Sequence, residues 1–343
     1  MRVISKIGKA VLALAVAVSC LSLAPDAEAR KQRLRLTTLA PKDSSFHKSL
    51  LRMGQEWKKD SKGQAELMVF AGGIQGGESA MVDRMRVNQI QAALISGVGL
   101  AEIDPAVAGL QQIPLLYRSL DELNYVMEKM APILEERIRE KGFVVLTWLD
   151  SGWVRIFSKD TLATPADMAK TKLFTWSGDE PQTNLLKKLG FRPVPIDSTE
   201  ISSSLQTGLI DTVPMPPFFA LAGQVYNTAP HMLDLNYVPL VGALVVTEKV
   251  WDRIDPEIQV KMKKAAEKAG REMTKSGRAE NVDSVKIMQK DWGLQVLKSE
   301  GDALDAWQEV SNKAYPIIRD TTVPAEVFDK VLELLEEYRA ENQ

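Results

Sequence analysis

Residues 142–176, GFVVLTWLDSGWVRIFSKDTLATPADMAKTKLFTW, decide how the whole chain is interpreted. The apolar run 143–149 predicts a buried strand, and 154–158 predicts a second strand almost at once. A capping sequence at 164–167, with proline at the first helical position, then opens a short helix. Residues 172–176 predict another strand. Because the strand–helix–strand order begins again here, the stretch marks the junction between two α/β lobes.

The chain before this junction alternates strands with helices. Strand-like runs occur at 33–38, 66–70 and 92–95. Between the first two, apolar residues recur every three or four positions, as on one face of a helix: Phe46, Leu50, Met53 and Trp57. A capping box at 119–122 opens a further helix. This order predicts a first lobe built on a mainly parallel sheet.

The chain after the junction repeats the pattern and then changes character. Helices are predicted at 180–189 and 198–206, and strands at 193–196 and 209–213. The apolar run 239–247 predicts a strand that crosses back to the first lobe. Beyond Pro256, helical periodicity without proline until Pro316 predicts one very long helix, or two nearly in line. A last amphipathic helix carries Phe328, Val331, Leu332 and Leu335.

We therefore predict an α/β fold of two lobes, each a mainly parallel sheet flanked by helices, with a long C-terminal helix crossing both. The first lobe comprises residues 30–150 and about 240–282. The second comprises residues 151–239, together with about 283–343 and the C-terminal helices. About 310 residues suffice for two such cores.

The N-terminus has the three parts of an export signal. Three basic residues precede the apolar run 10–23, and Ala27-Glu28-Ala29 supplies the small-x-small cleavage pattern. The apolar run is short for a membrane span, which argues against an uncleaved anchor. Lipidation at Cys20 is a third interpretation, but residues 17–19 match the lipoprotein pattern poorly. We predict cleavage after Ala29 and a periplasmic mature chain with no stable membrane insertion.

Charge and cysteine content narrow the class of protein further. The chain has 43 basic and 45 acidic residues, and removal of residues 1–29 leaves 40 and 43. This balance argues against nucleic acid or an anionic membrane as the main partner. Cys20 is the only cysteine, so a chain cleaved after Ala29 relies on its core rather than on disulfides.

The sequence offers few residues that could form a catalytic or metal-binding site. His47 and His231 are the only histidines, and neither has a partner thiol or a ligand cluster in the sequence. We expect no cofactor and no metal. An enzyme using Asp150, Asp179 or Glu180 as acid or base is the alternative from another class, but these carboxylates show no persuasive paired spacing.

The turn GGIQGG at 72–77 fits neither the dinucleotide-binding spacing nor the P-loop. Glycines here suit either a plain tight turn or a close approach of backbone to ligand. Gly73 is the candidate for such an approach, because the turn aims a helix N-terminus at whatever it faces.

Large apolar side chains cluster where predicted strands end near the junction. Ligands of open α/β sheets bind outside the carboxyl ends of the strands. The candidates for lining a cleft there are Trp148, Trp153, Phe174, Trp176, Met215, Pro217 and Phe218. Core packing is the alternative for each, although tryptophan is seldom fully buried. Arg155 is the candidate charge anchor, with surface exposure as its alternative.

An ordered series of short motifs resembles the solute-binding receptors of tripartite ATP-independent periplasmic (TRAP) transporters, of the dicarboxylate-binding type. The series is Gly152 with Arg155, TPADM and KL at 164–173, LGF and PV at 189–194, and LQTGLID at 205–211. The corresponding consensus motifs of the family are G-x-R, D-L-K-G-L-K-I-R-V, L-G-A-x-P-V and L-Q-x-G-x-V-D-G-x-E-N. The resemblance spans the mature chain and implies a periplasmic-binding-protein fold and membrane permease subunits as partners.

Departures from the family's consensus motifs indicate the chemical class of the ligand. The arginine that clamps a substrate carboxylate in the family falls at Phe174, and the asparagine falls near Met215. Arg155 is one residue out of register, which reverses its face on a strand. We therefore expect a divergent receptor for a largely apolar or amphipathic ligand, with a monocarboxylate still compatible. The alternatives are an ordinary carboxylate or dicarboxylate receptor, and a sensor that presents its ligand to a membrane kinase.

The export interpretation makes a direct prediction. The intact mass of protein isolated from the periplasm should correspond to a chain that begins at Arg30, because the cleavage pattern ends at Ala29. A chain that retains residues 1–29, or one with lipid on Cys20, would contradict it.

Overall fold

The computed structural model describes residues 31–342. The predicted export signal, its cleavage site and Cys20 lie outside these residues. Within 31–342, no helix combines the length and the hydrophobicity that a membrane span requires.

Up to the predicted junction, strands and helices alternate as expected. In chain order they are β1 (Gln32–Thr38), α1 (Ser45–Asp60), β2 (Ala65–Phe70), α2 (Glu78–Arg86), β3 (Ala92–Ser96), α3 (Gly97–Ala101), α4 (Ala108–Gln111), α5 (Leu120–Glu140) and β4 (Phe143–Trp153).

The same alternation continues beyond the junction and ends in three long helices. The elements are β5 (Arg155–Ser158), α6 (Pro165–Met168), β6 (Lys172–Trp176), α7 (Glu180–Lys188), β7 (Arg192–Ile196), α8 (Ile201–Thr207), β8 (Thr212–Met215), α9 (Pro217–Ala222), β9 (His231–Asp234), β10 (Pro239–Thr247), α10 (Glu248–Trp251), α11 (Pro256–Trp292), β11 (Gln295–Lys298), α12 (Asp302–Thr321) and α13 (Ala325–Glu341).

The first lobe is a five-stranded sheet in the order β2-β1-β3-β10-β4, with its helices. Only β10 runs antiparallel to its neighbours, so the strand predicted to cross back does so. Helices cover both faces, because alternate residues of one strand enter separate cores. In β3, Ala93 and Ile95 pack with α5, whereas Ala92 and Leu94 pack on the side of α1 and α11.

The second lobe is a six-stranded sheet in the order β11-β9-β5-β8-β6-β7, with its helices. β5 is antiparallel to both of its neighbours, and the other pairings are parallel. Ile156 and Phe157 of β5 enter two different cores, one on each face. Both lobes are thus mainly parallel and covered on both sides, as the sequence predicts.

Four segments of the chain connect the lobes, and the last of them is α12, which packs on α6 and α7 of the second lobe before α13 returns to the first. β4 of the first sheet passes into β5 of the second through Val154, and residues 235–238 return from β9 to β10. The two crossings are tied to each other, because the Val154 amide donates to the Val238 carbonyl at 2.9 Å. The third connection is α11, one continuous helix of 37 residues that contacts β4 of the first lobe and α9 of the second. This arrangement is a hinge of two strands braced by a helix.

The last helix departs from the predicted lobe boundaries. Residues 283–343 were assigned to the second lobe, but α13 packs on α5 of the first. The apolar face of α13, with Val327 and Phe328, shares a core with Val126. Arg339 donates to both carboxylate oxygens of Glu122 at 2.7 and 2.8 Å. The amphipathic pattern of α13 predicts a buried face, but not which lobe covers it.

Candidate functional site

A cavity of about 420 Å³ lies between the two lobes. Strand ends from both sheets form its walls, including Thr38, Ser96 and Ser151 of the first lobe and Trp176 and Met215 of the second. Parallel α/β sheets bind ligands at this position, because helix N-termini and loops converge at the carboxyl ends of the strands. The volume is in the range of small-molecule sites.

Aromatic and aliphatic side chains form much of the wall from the second lobe. The rings of Phe174 and Trp176 meet edge to face, with centroids 5.6 Å apart. Met215 and Phe219 also line the cavity. Aromatic pairs held in this way present a rigid apolar surface. Phe174 is 4% exposed, so only a small part of its ring reaches the cavity.

Asp150 lies at the hinge side of the cavity and is fully compensated. Arg278 of α11 donates to its two oxygens at 2.9 and 2.6 Å, and the Gly152 amide donates to it at 2.8 Å. The carboxylate is buried, with the residue 1% exposed. Asp150 therefore anchors the long helix rather than offering a free charge to a ligand.

Glu78 lies where α2 begins, directly after the glycine turn. Its carboxylate accepts from the amide and hydroxyl of Ser96 at 2.7 and 2.5 Å and from the Gly99 amide at 3.1 Å. Burial raises the pKa of the Glu78 carboxyl above its ordinary value, against the effect of these hydrogen bonds. All three of these donors are uncharged.

Asp179 caps α7 and bonds across the cleft. Its carboxylate accepts from the Gln182 amide at 3.0 Å, and from the Gln112 side chain of the first lobe at 3.0 Å. Burial, and to a lesser degree the charge of Glu102, raise the pKa of the Asp179 carboxyl.

Direct contacts across the cleft hold the lobes in a closed arrangement. Besides the Gln112–Asp179 bond, the Gly77 amide of the first lobe donates to Asp197 of the second at 3.1 Å. A Cβ atom on Gly73 would lie 2.8 Å from the Thr199 methyl group. The glycine turn thus lets the two lobes approach closely.

The ionisable side chains that distinguish the cavity wall are acidic. Among the described residues that form the wall, the carboxylic acids are Glu78, Asp150 and Asp179, and there is no arginine, lysine or histidine. The one arginine bonded to a wall residue, Arg278, is bonded to Asp150. An anion entering the cavity would meet uncharged donors only.

Of the residues that the sequence proposed for the cleft, Phe174, Trp176 and Met215 lie on the cavity wall. Ligand contact by these residues remains a prediction. They share the position that the strand-end rule indicates, on β6 and β8 of the second sheet.

The other candidates lie away from the wall. The Trp148 indole donates to Glu135 at 3.2 Å and packs, like Trp153, against the core of the first lobe. Because strand residues alternate, Leu149 faces the cavity instead of Trp148. Pro217 is buried at the start of α9, and Phe218 stacks on Phe46 with centroids 6.1 Å apart.

Arg155 and Gly73 do not line the cavity, but the residue before each of them does. Val154 lines the cavity, whereas Arg155 turns to the opposite side and donates to Asp234 at 2.6 Å. Gly72 lies on the wall, and Gly73 instead meets the facing lobe. The strand alternation that made Arg155 doubtful as an anchor accounts for its placement.

Most polar residues of the wall were not predicted from the sequence. Asp179 was considered only as an enzymatic acid, and Glu78 and Gln112 were not singled out. Glu78 and Asp179 each begin a helix just after a strand and its turn, so the strand-end rule predicts them in hindsight. No sequence pattern marks Gln112.

Two α/β lobes with a cavity between them are the architecture of periplasmic solute-binding receptors. The model of bacterial extracellular solute-binding protein family 7 (DctP) matches residues 36–320, so the chain belongs to this family, which serves TRAP transporters. Sequence and structure comparisons agree with that assignment.

Among relatives, the 2,3-diketo-L-gulonate-binding periplasmic protein of Escherichia coli is 25% identical over 80% of this chain and 84% of its own length. The sugar acid binding protein of Advenella mimigardefordensis, solved with galactonate, superposes with a TM-score of 0.83 at 18% identity, covering 90% and 99% of the two chains. A TRAP binding protein of Shewanella oneidensis, solved with succinate, gives 0.82 at 15% identity, covering 89% and 99%.

Gly77→Ala should hold the lobes apart. Alanine suits the backbone of residue 77, at φ −71°, but its Cβ would lie 2.5 Å from an Asp197 oxygen. Asp197 cannot readily turn away, because its other oxygen accepts from the amide and hydroxyl of Thr199. Small-angle scattering of the variant should give a radius of gyration close to that of ligand-stripped wild type.

Adding Asp197→Ser should restore the compact form, because serine still caps residue 199 but is shorter. Scattering curves that are the same for the wild type, the single variant and the double variant would contradict this account of closure.

Proposed function

We propose that this protein is the extracytoplasmic receptor of a TRAP-type transporter, which closes on a small, largely apolar or amphipathic ligand and delivers it to the membrane permease. The observation that carries the proposal is the cavity between the lobes, whose wall of described residues is partly aromatic and includes no arginine, lysine or histidine. A monocarboxylate with an apolar body is the one acid compatible with this proposal, held by uncharged donors.

The two positions that bear on ligand class both lie on the wall. Family resemblance puts the carboxylate-clamping arginine at Phe174 and the asparagine near Met215, and both positions line the cavity. Burying a neutral polar group without a hydrogen bond costs on the order of 2–7 kcal/mol. Burying an ionised carboxylate without a partner costs more. The substitution of both family groups by apolar side chains therefore supports an apolar ligand.

Relatives of the chain favour a second candidate. Structure neighbours were solved with galactonate, glucuronate and succinate. A receptor for such acids at this site would need the anion to be held by neutral donors alone, such as the Gln112 amide or backbone N–H groups at helix starts. The acidic side chains in the wall disfavour this candidate, because they would repel the anion.

Binding rather than catalysis also agrees with the state of the carboxylates. Asp150 is bound through both oxygens by Arg278, so it offers no free acid or base. An acid–base pair needs free groups within reach of one reacting atom. Family membership supports the permease as partner, and the predicted export signal supports the periplasmic location.

Restoring the family groups should change the ligand class. Wild type should show no succinate binding in titration calorimetry at millimolar concentration. Phe174→Arg combined with Met215→Asn should create measurable succinate binding, because the guanidinium offers a bidentate partner. Phe174→Leu is the matched control, since it removes the ring without adding charge and should leave succinate unbound. Tight succinate binding by wild type would overturn the apolar-ligand proposal and leave the receptor assignment intact.

A further inference from the structure

One end of the cavity gathers acidic groups from both lobes. Glu78 and Asp179 lie on its wall. Glu102 lies just behind, because a Cβ on Gly178 would stand 2.8 Å from its Oε1 atom and 3.3 Å from the Ser79 hydroxyl.

Two of these carboxylates face the cavity without charge compensation. Each carboxylate oxygen of Asp179 accepts one hydrogen bond. One comes from the backbone amide of Gln182 and the other from the side-chain amide of Gln112. An ionised carboxylate has room for about four such bonds. In contrast, Asp150 is bound through two oxygens by a guanidinium. Asp179 therefore keeps both acceptor capacity and uncompensated charge.

The surroundings of Asp179 suit a ligand that has a hydrogen-bond donor group and an apolar body. Its amide donates to the Trp176 carbonyl at 3.1 Å, so the strand that carries the Trp176–Phe174 pair ends beside the carboxylate. Aromatic faces next to a carboxylate stabilise an ammonium group.

A second, independent group on the wall also awaits a partner. The Ser151 hydroxyl lines the cavity, the residue is 4% exposed, and its Oγ has no hydrogen-bond partner among the described residues. Buried hydroxyls are ordinarily bonded. Its position next to Asp150 places it at the hinge, away from the lobe-bridging Gln112–Asp179 bond.

Resting on the proposed function, we infer that the ligand's polar head donates hydrogen bonds to Asp179 and carries no negative charge, while its apolar body lies against Phe174 and Trp176. An ammonium or a hydroxyl group meets this description. A carboxylate does not, because it would face the acidic groups of Asp179 and Glu78. Burial raises the pKa of both Asp179 and Glu78, in keeping with a wall that lacks a cation.

Three probes that share one skeleton test the inference: 4-phenylbutylamine, 4-phenylbutan-1-ol and 4-phenylbutanoate. Titration calorimetry at neutral pH should give the amine or the alcohol at least about tenfold tighter binding than the carboxylate, which corresponds to 1.4 kcal/mol. The tighter of the two identifies the head group as ammonium or hydroxyl.

Asp179→Asn keeps the helix cap but removes the charge, so it should weaken the amine about tenfold and the alcohol less. Glu180→Gln is the matched control, because Glu180 is the exposed next residue and does not line the cavity. It should leave all three affinities unchanged.

Tightest binding by the carboxylate, equal effects of the two variants, or no binding of amine and alcohol would overturn the inference. Failure of the receptor function is distinguishable. If succinate binds and compacts the protein while the amine and alcohol do not, the receptor stands and the head-group inference falls. If neither the probes nor succinate bind, both fail.

Discussion

The ion pair between Arg278 and Asp150 is the interaction on which the rest of the structure depends. It joins the middle of α11 to the end of β4, where the chain leaves the first sheet for the second. The same helix face continues the attachment, because Thr274 bonds the Asp150 amide and Asn281 bonds the Ser151 carbonyl. Asn281 also accepts from the Phe218 amide of the second lobe at 2.9 Å. Removing one partner of a buried pair costs about 3–5 kcal/mol, so this junction is costly to alter.

The pair also determines the charge that a ligand meets. Arg278 is the arginine bonded to the wall, and its guanidinium is taken up by Asp150 and by Asn124 at 2.6 Å. The remaining acidic groups of the wall are bonded only by neutral donors. The pair thus braces the hinge and also occupies the guanidinium of Arg278. The ligand proposed above needs no cationic partner and fits such a wall.

Much of the fold was predictable from sequence. Periodicity and capping gave the two α/β lobes, the return of β10 and the length of α11, because each involves many residues of consistent pattern. β9 and β11 were not predicted, because each has four residues and β11 is largely exposed. The prediction that α13 packs on the second lobe was wrong, because an amphipathic face does not specify which surface will cover it.

The site was predictable only in part. The strand-end rule and the family positions placed Phe174, Trp176 and Met215 on the wall. Trp148 and Trp153 lie off the wall, because strand position alone does not decide which face meets the cavity. Gln112 and Asp179 are 67 residues apart and meet only when the lobes close, so no local pattern relates them.

Native mass spectrometry of protein taken fresh from the periplasm, followed by extraction and identification of the bound compound, tests the central claim most directly. The account predicts one retained small molecule with a substantial apolar body, small enough for a cavity of about 420 Å³. A dicarboxylate or a sugar acid as the main bound compound would contradict it.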